Sequence, residues 1–511
     1  MFYQVNNLIS IDLSNLNFIN LTNMSNMFSE CMSLEEINLS NFQANNLTNM
    51  SYMFSECRSL KEINLSNFQA NNLTDMSYMF YRCCSLEKIN LSNLSFNNLT
   101  NISHLFSGCK SLKDINISNF DTSNLTNISY ILNGCESLKS IDLSNFNNTK
   151  VTNMTHLFSE CKSLIEINLS NFDTSNLTDM SYLLNGCESL KYIDLSNFIT
   201  NNLIDMSYIF SECKSLYSIN LSNFNTNKVT NMSHLFNKCE SLKEINISNF
   251  DISNLTNISY MFNKCKLLKS IDLSSFKTNK VTDMSYLFNE CESLVSFNLS
   301  SFDTTKVINM SFMFNECKSL NSINLSNFYT NKLINMNHMF NYWSSLISID
   351  LSNFYTNNVI NMSYMFSFCE SLKEINLSNF IIKDISILLY MFKNCKSLKL
   401  INLSNINIGD GKYTDLIVKN IAEDCNIICQ DKIGLKKEIL KYNQNINNNM
   451  IFSNINYYET IEKIGPEECA KLKKEGIKFL YINSKNIFYF IFIIAILLGR
   501  DRVGKTTLIE T

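Results

Sequence analysis

The chain has 511 residues with 42 Lys and Arg against 46 Asp and Glu, a formal net charge of −4. Acidic and basic residues are interspersed, so no electrostatic case exists for nucleic acid or for an anionic membrane surface. Ten glycines and one proline leave the turns to Asn, Ser, Thr and Asp, which make them through side-chain to backbone hydrogen bonds.

The first element in the chain is a repeat. Leucine recurs at one fixed interval, from Leu8 through Leu34, Leu60 and Leu86 to Leu398, without insertion or deletion, and a serine follows at the same place in each unit, from Ser14 to Ser404. Periods of this length mark solenoids, in which one unit cannot bury its own apolar face and stacks on its neighbours. Met1 and Phe2 coincide with the Met-Phe of a unit, one period before Met27 and Phe28, with neither a signal peptide nor a polar capping unit ahead of them. The expectation is an array that continues upstream in the intact gene.

The unit beginning at Leu34 shows the local physics. Leu34, Ile37 and Leu39 read L-x-x-I-x-L, whose end alternates apolar and polar as a short strand buried on one side does. Each strand is followed by the same return path, so the strands pair in parallel. In the return, Met50, Met53, Phe54 and Cys57 stand at i, i+3, i+4 and i+7, a spacing that predicts a short helix or helical turn with Thr48 or Asn49 as its N-cap. Phe42 is expected inside the bend that leaves the strand. The predicted fold class is an α/β repeat of about 16 coils, a rod roughly 75 Å long at one strand spacing per coil.

Eighteen cysteines suggest a disulfide framework until they are placed in register. Fourteen fall in one column, from Cys31, Cys57 and Cys83 to Cys395, with Trp343 replacing the cysteine once. Side chains stacked in one direction suit a ladder of buried free thiols better than paired disulfides. Cys84, Cys425, Cys429 and Cys469 lie outside the column, and none has the paired spacing of a zinc site.

Residues 24–42 read MSNMFSECMSLEEINLSNF and match M-x-x-M-F-x-x-C-x-S-L-x-x-I-x-L-S-x-F. The unit resembles the BspA-type leucine-rich repeats, the 26-residue class of bacterial, mycoplasmal and protist surface proteins, over about four fifths of the chain. The resemblance implies a right-handed leucine-rich-repeat solenoid used for adhesion or protein binding, with no catalytic residue.

Three columns are candidates for binding. Asn or Asp stands between the inward Ile and Leu of each strand, as at Asp12, Asn38, Asn64, Asp142, Asp194 and Asp350, where it either receives a partner or stacks on itself. Two residues earlier the residue varies, and Glu36, Glu62, Lys88, Asp114, Tyr192 and Glu244 are the expected protein-binding surface. His104, His156, His234 and His338 share a column with Tyr52, Tyr78, Tyr130 and Tyr182, at least two coils apart and too far to share a metal. That column either offers ring faces to a carbohydrate or peptide, or packs on itself. Asn-x-Ser/Thr sequons such as those at Asn38, Asn46 and Asn49 are by-products of the period, because glycans on adjoining coils would clash.

The repeat register ends near Ile406, which divides the chain into a solenoid at 1–406, a cap and linker at 407–485 and a terminal segment at 486–511. Pro466 opens a predicted short helix with acids at its start, lysines at its end and Gly476 after it. An apolar run, Ile487–Leu498, precedes Gly499, Gly504, Lys505 and Thr506, which match G-x-x-x-x-G-K-[ST]. In such a loop the glycines let backbone amides wrap phosphates, the lysine neutralises them and the hydroxyl binds Mg²⁺.

This end resembles the opening of a Ras-like GTPase domain, and leucine-rich repeats followed by one resemble the Roco family. The resemblance gives Lys505 to phosphate and Thr506 to the metal, with GTP and Mg as cofactors of a complete domain. The residues after Thr506 leave no room for switch regions or a guanine-reading loop, so hydrolysis is not expected. The rival reading is a membrane anchor, although the 12-residue run falls short of the roughly 20 residues of a spanning helix. Arg500, Arg502 and Lys505 would flank it on the cytoplasmic side.

These readings predict a non-enzymatic protein-binding scaffold, a fragment of a leucine-rich-repeat GTPase, in the cytoplasm. The alternative is a cell-surface adhesin held by its C-terminal apolar segment. No cofactor is expected in the solenoid and no nucleic acid among its partners.

Overall fold

The computed structural model describes residues 2–91, 98–117, 122–146, 148–382, 384–406, 414–422, 425–430 and 450–453. Strands this short cannot stand alone, so each exists by pairing with the next coil. β1 (Ser10–Asp12), β2 (Glu36–Asn38) and β3 (Glu62–Asn64) form one parallel sheet, in which Ile11 faces Ile37 and Ile37 faces Ile63, always one repeat on. The same register joins β4 (Lys88–Asn90) to β5 (Asp114–Asn116), β6 (Ser140–Asp142) to β7 (Glu166–Asn168), β8 (Tyr192–Asp194) to β9 (Ser218–Asn220) and β10 (Ser270–Ile271) to β11 (Ser296–Phe297). Coils at Glu244, Ser322 and Ser348 form no regular strand, yet keep the exposed, half-buried, exposed alternation. The result is a β-solenoid of about 15 turns of about 26 residues.

The expected helix in each return is absent. Among the described residues, helical structure is confined to the 3₁₀ turn Ile385–Leu388 and the four-residue α1 (Thr414–Ile417). An α-helix sends every amide to the carbonyl four residues back. Here the amides of Met50, Tyr52, Phe54 and Glu56 go instead to Asp75, Ser77, Met79 and Tyr81 of the next coil, at 2.7–2.9 Å. Between them, Met53, Ser55 and Cys57 bond three residues back to Met50, Tyr52 and Phe54, while the Ser51 amide donates to Asn49 Oδ1 at 2.8 Å. Tyr52 and Glu56 carry φ of 57° and 61°, left-handed values that redirect the chain every four residues. The spacing i, i+3, i+4, i+7 thus comes from two successive four-residue turns. Every amide is satisfied without a helix, and Asn49 caps a turn in the place where it was expected to cap a helix.

Packing follows the columns. In one unit Leu34, Ile37, Leu39, Phe42, Leu47, Met50, Met53, Phe54 and Cys57 are all buried, and equivalent residues merge into one continuous core. The column cysteines are buried free thiols. Each donates its Sγ–H to a carbonyl in the preceding coil, as Cys57 does to Phe28 at 3.0 Å and Cys239 to Phe210 at 3.1 Å. At the one coil without a cysteine, the Trp343 indole donates to the Leu320 carbonyl.

The strand stack outlasts the side-chain pattern. β12 (Glu374–Asn376), β13 (Leu400–Leu403), β14 (Asn426–Gln430) and β15 (Met450–Ser453) form one parallel sheet. Leu400 still pairs with Asn426 at the offset of a full repeat, whereas Ile427 pairs with Met450 at a shorter offset. The backbone therefore covers the open edge of β13 after the leucine pattern has ended.

Candidate interaction surface

A surface built on short parallel strands exposes the first and third residue of each, because alternate side chains point to opposite faces. Glu36, Glu62, Lys88, Asp114, Tyr192 and Glu244 are all exposed on this face, as their column requires. The structure brings four of them together. Glu36, Glu62, Lys88 and Asp114 line one open concavity of ≈ 1040 Å³ across β1 to β5, shared with Asp12, Lys61 and Glu87. Lys61 reaches Glu35 at 2.6 Å and Lys113 reaches Glu87 at 2.8 Å, and the Lys113 ammonium holds the Glu87 carboxyl below its usual range. With those two pairs compensated, Asp12, Glu36, Glu62 and Asp114 outnumber Lys88, so this end of the face is acidic. Tyr192 and Glu244 lie farther along the same face, outside the concavity.

The third strand residue makes a bond that neither expected role included. Asp194 Oδ1 accepts the Ser196 amide at 2.9 Å, and Asp12, Asn38, Asn64, Asp142 and Asp350 make the same bond to the residue two places on. This is an Asx turn that ends the strand. The hydroxyl and amide of Ser196 hold the Asp194 carboxyl below the carboxylate range. The column makes a bond along the chain, and a weaker side-chain contact from the next coil adds to it, as Asn220 does at Asp194 and Asn38 at Asp12. The serine that follows each Asn or Asp at i+2 was the available signal.

The Tyr and His column is a continuous stack. Fourteen rings from Tyr52 to Tyr390 succeed one another at 4.1–5.0 Å between centroids, for example Tyr208 on His234 at 4.1 Å and His234 on Tyr260 at 4.3 Å. Ring faces inside the stack are covered by their neighbours, which leaves edges rather than faces for any ligand. His104, His234 and His338 each bury an Nδ1 with no hydrogen-bond partner, and burial lowers their pKa to about 4. They are neutral rings in a structural ladder. Among the described residues no group of His, Cys, Asp or Glu could hold a metal ion.

One feature of the face was missed in the sequence. Ile165, Tyr192 and Tyr217 are exposed on three successive coils midway along it, with the exposed Lys191 between Ile165 and Tyr217 in their column. Tyr217 and Ile165 occupy a column that elsewhere carries Lys61, Glu87 or Lys113, so the signal was an apolar residue where charge is the rule. Gly499, Gly504, Lys505 and Thr506 lie outside the described residues, as do the Pro466 helix and the Ile487–Leu498 run. Among the described residues no helix is long and apolar enough to cross a membrane.

The family described as "Mycoplasma protein of unknown function, DUF285" matches residues 1–114, 85–192, 164–272, 233–348 and 322–423, so the chain belongs to that family. No curated protein matches it. Among solved structures, one titled "Crystal structure of TLR13-ssRNA13 complex" aligns over 81% of this chain and 69% of its own, at 17% identity and a TM-score of 0.22.

Proposed function

We propose that this DUF285 chain is a non-enzymatic binding rod whose exposed strand face engages protein partners. The observation that supports the reading most directly is a division of labour on that face. Within the repeat units the Asn or Asp column holds a turn, while the position two residues earlier ranges over Glu, Lys, Asp, Ser, Tyr and Leu. A scaffold whose strand-opening positions change chemical class while its inward ones stay apolar is suited to partner selection, with the exposed Ile165, Tyr192 and Tyr217 among its contact residues. No catalytic site is evident among the described residues.

The test replaces Ile165 and Tyr217 by Lys and Tyr192 by Ser, residues the same columns hold in other coils, so the fold is kept. Quantitative capture from the native source is compared among wild type, this triple variant and a Tyr208→His control in the ring column. A defined partner held by wild type and control is expected to be lost from the triple variant by roughly tenfold or more. Unchanged retention would refute the assignment. The cell-surface adhesin suggested by the BspA-type repeat would use the same face, and protease accessibility on intact cells separates it from a cytoplasmic scaffold.

A further inference from the structure

On one corner of the solenoid, four successive coils lack one or both of two hydrogen bonds that other coils make and expose apolar side chains instead. Thr48, Thr74 and Thr100 each donate Oγ1 to the carbonyl of the equivalent threonine one coil back, at 2.9–3.1 Å. Ile308, Ile334 and Ile360 occupy that position farther along, cannot donate, and are 42%, 39% and 69% exposed. Earlier in the unit, Asp173, Asp251 and Asp303 accept the amide two places on, at 2.9 Å. Tyr329, Tyr355 and Ile381 stand there in the next coils, also exposed. Core packing does not account for these six side chains, because they point away from it.

The two positions are the shoulders of one projecting turn. The Leu333 amide closes it on the Thr330 carbonyl at 3.0 Å, with Tyr329 and Ile334 on either side, and Val359 closes the next on Thr356 at 3.1 Å. Lys280, Lys306 and Lys332 are exposed at successive turn tips, Asn358 and the exposed Asp384 follow at the next two, and Asp283 and Asp303 are the acids beside the lysines. The corner is therefore a ridge of Ile and Tyr crested by lysines.

We propose that this ridge seats on an anionic lipid surface, its shoulders entering the interfacial layer and its lysines meeting headgroup phosphates. Shape selects lipid over peptide. A peptide needs a concave groove to bury both its flanks, whereas a fluid headgroup layer closes around a convex ridge. The balanced charge of the whole chain spoke against such a surface, but exposed charges act over a Debye length of about 10 Å, and along these tips lysine predominates. The sequence adds a second apolar and cationic stretch, Ile487–Leu498 followed by Arg500, Arg502 and Lys505.

Flotation of the full chain with phosphatidylcholine–phosphatidylglycerol vesicles, and with phosphatidylcholine alone, tests the assignment. Replacing Ile308, Ile334 and Ile360 by Thr restores the column's usual residue, and replacing Lys306 and Lys332 by Asn does the same at the tips. Wild type is expected to float with the mixed vesicles, the threonine variant to bind them roughly tenfold or more weakly, and the asparagine variant to lose the preference for anionic lipid. Equal binding by wild type and threonine variant would overturn the proposal and assign membrane contact to the Ile487–Leu498 run. Failure of wild type to float would also overturn it, including the case where the ridge pairs two copies, seen as a dimer in sedimentation that the threonine variant abolishes.

Discussion

Cys239 donates its thiol hydrogen to the carbonyl oxygen of Phe210, 3.1 Å away in the preceding coil. That oxygen already accepts the Cys213 amide at 3.1 Å, so the thiol satisfies its second lone pair. Alanine at Cys239 would lose this donor and leave a small void, and the expected cost is about 1–2 kcal/mol. Urea midpoints of wild type and Cys239→Ala measure it. Equal midpoints would mean that the column is filled by size alone.

The same burial makes the column chemically silent. It pushes the Cys57 and Cys161 thiols up to about 12, so almost no thiolate exists at pH 8. A thiol-reactive disulfide reagent should label Cys84, which is half-buried and outside the column, and reach the ladder only after unfolding. Rapid labelling of Cys213 or Cys239 in the native protein, located by peptide mapping, would contradict the packing.

The histidines predict an acid-sensitive window. Burial holds His104, His234 and His338 at about 4, against 6.5 for a free ring, with His156 adding to the effect at His104 and Lys238 at His234. Between these values the unfolded chain takes protons that the folded chain refuses. Stability from the neutral stacked rings is complete above about pH 6.5 and declines as pH falls toward 4. Asp194 and Asp272 are also lowered, but by turn bonds that favour the charged form rather than by burial of a cation, and their contribution is lost only below the ordinary carboxylate range. Replacing the four column histidines by tyrosine should flatten the denaturation midpoint between about pH 7.5 and 5. A variant with the wild-type slope in that interval would locate the sensitivity elsewhere.

Strand-ending carboxylates and amides are interchangeable in this geometry. Asp194→Asn keeps an acceptor for the Ser196 amide, as Asn220 does for Ser222, and should change stability little. Asp194→Ala strands that amide and should cost about 0.5–2 kcal/mol, in the range of a lost cap. Thermal unfolding of the two variants side by side decides it. Equal loss in both would imply that charge, not the acceptor, is what matters.

Leu34, Ile37 and Leu39 announced their strand and its register because alternation along a chain has one structural solution when one face is buried. Met50, Met53, Phe54 and Cys57 did not announce their turns, because a helix and two consecutive four-residue turns place the same residues inward. What separates them is where the amides go, and those partners lie in the next coil, a full turn away along the chain and beyond the reach of any local pattern. A hint was present in Gly108, Gly134 and Gly186, three glycines in the column of Glu56, each with positive φ. For the surface, Glu36, Glu62, Lys88 and Asp114 were legible from variation within one column. The exposed Ile165, Tyr192 and Tyr217 were not, because they are spread over two columns and come near one another only when coils stack. The ring column was open to either a ligand-binding face or a self-packing ladder, and the centroid spacing shows that its faces are covered.

The left-handed turns give a sharp test of that reversal at Glu212, whose φ is 63° and whose amide bonds to Asn237 of the next coil at 2.7 Å. In a helix, glycine there would cost about 1 kcal/mol and valine about half as much. In a left-handed turn the order inverts. Glycine adopts this φ freely, gaining about 1 kcal/mol of relieved strain, against the loss of a 2.6 Å ion pair to Lys238 that partial exposure limits to about 0.2–1 kcal/mol. Glu212→Gly should therefore be close to neutral. Valine loses the same ion pair and adds a β-branched clash with the following carbonyl, so Glu212→Val should be about 1–2 kcal/mol less stable than Glu212→Gly. Urea denaturation of the two variants reads the difference directly, and a valine variant more stable than the glycine variant would restore the helix.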